Sequence, residues 1–171
     1  KYRVFDESEK MPALVYGLDT QGRGIFHDID SIKSINDTTI TLNRYDQKAW
    51  GMYLVFSKNW NLLGNLGIHG GISKSLSEND DGDKDPNVFF GFDKELNRSF
   101  SFLVEYDAAL NDNDHTLNDI TFGRGKGYLN AGIRWAMSQN LMLEINFNDI
   151  NQNTNSEYTN REIKVMYSES F

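Results

Sequence analysis

The stretch "NDDGDKD", residues 79–85, is where this chain comes nearest to a metal-binding pattern. Asp81, Asp83 and Asp85 alternate around Gly82, with Asn79 and Asp80 beside them. Closely spaced carboxylates on a turn can wrap a hard cation such as Ca²⁺. No Glu stands at the closing position of a calcium loop, so the competing reading is a solvated acidic loop. Asp112, Asp114 and His115 form a weaker cluster of the same kind.

Nucleophilic chemistry finds less support. His27, His69 and His115 fall in different segments, and none has a Ser, Cys or metal partner at a telling spacing. Ser73 and Ser101 can be drawn toward His69, but a hydrolase needs nucleophile, base and orienting acid in register. The chain has no cysteine, which removes a thiol nucleophile, a disulfide framework and a zinc–thiolate site. "GRGKG" at 123–127 lacks the Lys-Ser/Thr pair and the helix of a phosphate loop. No catalytic residue emerges, an enzyme is not expected, and Ca²⁺ is the one cofactor the residues suggest.

The larger chemical feature is a set of charges at alternate positions. Glu105, Asp107, Arg134, Glu144, Glu162 and Lys164 each lie opposite an apolar stripe. "SFSFLVEYDAA" sets Phe100, Phe102, Val104 and Tyr106 against Ser101, Leu103, Glu105 and Asp107. "GYLNAGIRWA" sets Leu129, Ala131, Ile133 and Trp135 against Asn130, Gly132 and Arg134. "NLMLEINFND", "AWGMYLVFS", "NLGIHGGIS", "NVFFGF" and "REIKVMYS" repeat the pattern. Period two is a strand signature, because successive side chains point to opposite faces. "MPALVYGLD" and the short "KYRVF" add two weaker strands, whereas residues 20–46 read as irregular apart from "TTITLNRY".

Composition bounds the class. The 171 residues carry a formal charge of -8, which argues against nucleic acid as a partner. No apolar run is long enough for a spanning helix, which leaves a barrel open. Eleven Phe, eight Tyr and three Trp are many for so polar a chain, and strands favour aromatic residues.

Connections alternate between short turns and long Asn-, Asp- and Gly-rich loops, roughly 19–47, 75–86, 110–126 and 150–160. Such a meander predicts an antiparallel up-and-down transmembrane β-barrel, or the C-terminal portion of a larger one. The charged set above would then line the lumen. Trp50, Phe56, Phe92, Phe100, Trp135, Tyr167 and Phe171 would face the membrane or form its aromatic girdle. Residues 1–171 are expected to form one barrel domain or barrel fragment of about eight or nine strands, with N-terminal strands missing. The alternative on the same pattern is a secreted, soluble β-sandwich that binds carbohydrate, with the stripe as core and the charges in water.

The ending "IKVMYSESF" resembles the C-terminal strand of bacterial outer-membrane barrels. Phe171 matches the terminal aromatic and Tyr167, Val165 and Ile163 match the alternating positions, while Glu169 departs from the pattern. "MPALVYGLDTQGRGIF", "SKNWNLLGNLGIHGGIS" and "GYLNAGIRWAMSQNLMLEINFNDI" resemble exopolysaccharide-related barrel proteins of the YjbH type, through Pro12, Ala13, Gly17, Asp19, Gly22, Gly24, Gly67, Gly70 and Gly71. The resemblance implies residence in a Gram-negative outer membrane and a pore or channel role in envelope export. It also implies outer-membrane lipid, the barrel-assembly machinery and other envelope proteins as partners. A non-conducting barrel with partner-binding outer loops is the nearest variant of that function.

Overall fold

The computed structural model describes residues 1–33, 39–113, 123–154 and 159–169. Its strands in chain order are β1 (Tyr2–Phe5), β2 (Ala13–Asp19), β3 (Arg23–Lys33), β4 (Thr39–Gln47), β5 (Gly51–Asn61) and β6 (Asn65–Lys74). β7 (Asn87–Glu95), β8 (Phe100–Asp107), β9 (Tyr128–Ala136), β10 (Leu141–Asn148) and β11 (Asn160–Tyr167) follow, with a 3-10 turn at Leu110–Asp112. The fold class is all-β, as the period-two pattern predicts. Nine strands make an antiparallel sheet in the order β1-β2-β5-β6-β7-β8-β9-β10-β11, and β3 and β4 pair as a separate ribbon.

The sequence pattern marks β4 of that ribbon, through "TTITLNRY", but not β3. "GRGIFHDID" reads as irregular because Gly24 adopts φ +86 and the β3–β4 register slips between Arg23 and Phe26 and again between Ile29 and Ile32. Each slip breaks the alternation that marks a strand.

The closed barrel expected from the sequence is not formed. β1 and β11 are the outer strands of the large sheet, and among the described residues they do not pair with each other. A lipid-spanning sheet must satisfy every backbone polar group, whereas an open sheet leaves a row of N–H and C=O groups unpaired along each edge. The transmembrane barrel is therefore corrected to an open sheet. The porin-like pore, its non-conducting variant, the outer-membrane location, and the lipid and assembly-machinery partners rested on closure, and they are corrected with it. Among the described residues no helix is long and apolar enough to cross a membrane.

The two faces of the sheet differ as the alternation requires, but packing does not follow the sandwich pattern either. Phe56, Ile68, Phe90, Ile133, Trp135, Ile163 and Tyr167 lie on one face and remain exposed. The opposite, concave face carries the charges. Among the described residues, the buried apolar ones are Leu42, Ala49, Phe89, Ala109 and Tyr128. The buried polar set is larger and includes Arg44, Lys48, Glu78, Asp81, Asp83, Asn87, Asp107, Asp112, Glu144 and Asn153. Most of these gather where the ribbon base meets the loop between β6 and β7 and the 3-10 turn.

Candidate functional site: a polar trough and its ionic end

Strand pairing places the concave charges. Glu144 on β10 stands between Arg134 on β9 and Lys164 on β11. Arg134 Nε and Nη2 each lie 2.8 Å from Glu144 Oε2, and Asn146 Nδ2 donates to Oε1 at 2.9 Å. Lys164 Nζ lies 3.7 Å from Glu144 and 3.3 Å from Glu162. Further across, His69 and Asp93 are 3.1 Å apart and Asn130 Nδ2 donates to Glu105 at 3.4 Å. The structure thus brings Glu105, Arg134, Glu144, Glu162 and Lys164 together along one cavity of about 540 Å³, lined also by Trp50, Phe89, Asn146 and Asn148. A second cavity, of about 600 Å³, shares Arg23, Asn130 and Asn148 with it and extends to Asp46, Thr154 and Arg161. A third, of about 210 Å³, includes Arg23, Trp50, Glu105, Asp107 and Asn130. Together they form a trough open to solvent, with Arg23 at the ribbon base reaching all three.

Burial pushes the Glu144 carboxyl up, but hydrogen bonds from Asn146 and Arg134, with the Arg134 and Lys164 charges, outweigh it and hold the group below its ordinary 4.5. A carboxylate held low stabilises the folded chain above its ordinary value, and loses that contribution as pH falls through the lowered one. Glu144→Gln should therefore lose less stability on acidification below 4.5 than the native chain does. Urea titrations across that range read the difference, and equal acid slopes would contradict it.

Trp50 is not on the outer stripe, where the alternation "AWGMYLVFS" puts it. Gly51 has φ +63, and Gly51 and Met52 both stand opposite Lys74. This is a bulge with a left-handed Gly at its first position. A Cβ there would lie 2.1 Å from the Lys74 carbonyl oxygen, so no larger residue fits. The bulge turns Trp50 inward, where its ring stacks on Phe89 with centroids 4.2 Å apart at 17°. Trp50 also meets Tyr53 edge-on at 5.5 Å. Of the other expected girdle residues, Phe56, Phe92, Phe100, Trp135 and Tyr167 are on the convex face, with Phe100 stacked on Trp135 at 5.6 Å. Phe171 lies outside the described residues.

The acidic loop serves the ribbon. Arg44 on β4 donates to Asp81 at 2.6 Å and to Asp112 at 2.8 Å. Lys48 Nζ donates to the other Asp81 oxygen at 2.8 Å and to the Asp83 carbonyl at 2.9 Å. Both oxygens of Asp81 are thus occupied by cations of the chain. Asp83 is buried and accepts from the Asn113 N–H, and Asp85 is exposed. Among the described residues no group of three or more acids or histidines is arranged to hold a metal ion. Asp114 and His115 lie outside the described residues. Asp107 sits at this end too, accepting from Asn87 at 2.6 Å.

"GRGKG" closes over a residue the sequence did not single out. Asn153 is 0% exposed, and its Oδ1 accepts the N–H groups of Arg124 and Lys126 at 3.1 and 2.8 Å. The loop is held by an amide rather than wrapped around a phosphate. Nothing local in "NQNTN" distinguishes Asn153 from its neighbours.

Fold and site together define an open antiparallel sheet with a polar, aromatic-floored trough on its concave face. Comparison with family models, curated proteins and solved structures gives no match.

Proposed function

We propose that this chain is a non-catalytic carbohydrate-binding module that takes an oligosaccharide along the concave trough. The observation that carries the reading is the Trp50–Phe89 stack lying in one cavity with Arg134, Glu144, Asn146 and Asn148. Sugars present an apolar C–H face and a rim of hydroxyls. An aromatic surface receives the first, and amides, carboxylates and guanidinium groups receive the second as donors and acceptors in fixed geometry. Asn148 and Arg23 line the same space at the ribbon side.

Isothermal titration against a panel of neutral and acidic oligosaccharides tests this. At least one should bind, and Trp50→Ala should weaken it about tenfold or more, a loss of roughly 1.4 kcal/mol. Trp50→Phe, which keeps an aromatic face on Phe89, should recover part of the affinity. Binding unchanged in Trp50→Ala, or no binding across the panel, would remove the proposal.

A further inference from the structure

We infer that β11 pairs edge to edge with β11 of a second copy of this chain, in one register fixed by Glu162 and Lys164. The inference does not depend on the trough's ligand.

All eight residues of β11 are exposed, and among the described residues β10 is the strand's one neighbour in the sheet. The direction of the free backbone groups follows from two hydrogen bonds. Ser168 N–H donates to the Asn140 carbonyl, and Met137 N–H donates to the Leu141 carbonyl. Even-numbered residues of β11 therefore point their N–H and C=O groups toward β10. By alternation, Arg161, Ile163, Val165 and Tyr167 present theirs along the open edge.

An antiparallel, two-fold symmetric pair of such edges must match odd residues with odd residues. The register centred on Ile163 sets Ile163 against its own copy and Arg161 against Val165. It also sets Glu162 of each copy against Lys164 of the other. These fall at the non-hydrogen-bonded positions, where facing side chains come closest. A shift one way sets Glu162 against Glu162, and a shift the other way sets Lys164 against Lys164. Like charges directly opposite are destabilising, so the strand is self-complementary in one register and self-repelling in both adjacent ones. Glu162 and Lys164 are about half exposed, at 46% and 47%, and so are accessible to a second chain. Ile163 and Val165, 68% and 67% exposed, would then cover each other's flanks on the convex side.

The opposite edge is unsuited to the same role. β1 is four residues long and its register slips between Arg3 and Phe5, the short, irregular form that blunts an edge. The symmetry is isologous and closes at two copies.

Sedimentation velocity on the full chain should show a dimer. Lys164→Glu and Glu162→Lys should each raise its dissociation constant at least tenfold, and the double exchange should restore it. The chain has no cysteine, so single introduced thiols report the register without background. Ile163→Cys, on the symmetry axis, should cross-link to a disulfide dimer under mild oxidation, and Val165→Cys should not. A monomeric native chain would overturn the inference. So would open-ended assemblies, or cross-linking through Val165→Cys as readily as through Ile163→Cys.

Discussion

Arg44→Met should destabilise the chain by about 3–5 kcal/mol at neutral pH, the loss typical of removing one partner from a buried ion pair. Arg44 is 1% exposed. Its Nε donates to the Tyr45 carbonyl at 2.9 Å and its Nη2 to the Asp46 carbonyl at 2.9 Å. Nη1 bridges Asp81 and Asp112, which belong to the loop after β6 and the turn after β8. One side chain thus ties the ribbon to two separate parts of the sheet. Burial disfavours the Arg44 charge, but Asp112 and Asp81 outweigh it and keep its pKa above the ordinary value.

Methionine fills much of the volume yet leaves Asp112 with less compensation. Burial already holds that carboxyl above its ordinary range, despite the opposing hydrogen bond and charge of Arg44. A carboxyl raised in the folded state takes up protons more readily folded than unfolded. Its contribution to stability therefore falls as pH rises above its ordinary value of 3.8 toward the raised one. Without Arg44 that window widens upward, so Arg44→Met should regain part of its lost stability on mild acidification. Urea midpoints at neutral and mildly acidic pH measure both effects. A loss below about 1 kcal/mol, the scale of a surface pair, would show that the ribbon is held by something else.

The second large effect is expected at Glu78, a buried carboxylate whose oxygens accept the backbone N–H groups of Tyr45 and Ala49. The Tyr45 bond is 2.8 Å long. These two donors flank the end of β4, where the chain leaves the ribbon and enters β5. Glu78→Ala strands both, at about 1–3 kcal/mol for each unsatisfied buried donor. The summed loss should be roughly 2–6 kcal/mol. Glu78→Gln keeps one acceptor and should recover about half of it. Amide hydrogen exchange separates this from general loosening: Tyr45 and Ala49 should lose protection in Glu78→Ala more than amides of β9 and β10. Equal loss throughout would mean Glu78 acts only through global stability.

Much of this architecture is legible in the residues. Alternation across Phe100–Asp107, Tyr128–Ala136 and Leu141–Asn148 gives both the strands and their two faces, because side-chain direction in a strand depends on the backbone alone. For the same reason Glu105, Arg134, Glu144, Glu162 and Lys164 could be assigned to one face before their partners were known. Closure is different. Whether the edges of a meander meet depends on cumulative twist and on which strand lies beside β1 and β11, and no single residue states either. Trp50 departs from the simple alternation because the bulge at Gly51 inverts the parity between it and Met52. The acidic loop suggests a cation in sequence because its carboxylates are adjacent there, whereas Arg44 and Lys48, which pair with Asp81, lie more than 30 residues upstream.

The convex apolar face also governs how stability varies with temperature. The heat capacity of unfolding comes mainly from nonpolar surface newly placed in water. Phe56, Ile68, Phe90 and Ile133 are already about half exposed in the folded chain, so unfolding adds less for them. The polar groups released from the ribbon anchor act in the opposite direction, since their hydration lowers the heat capacity. Differential scanning calorimetry should therefore show a smaller increment than the chain length implies and a flatter stability curve. Among the described residues, the polar groups that oppose the apolar increment are those of the hydrogen-bonded ionic seam around Arg44.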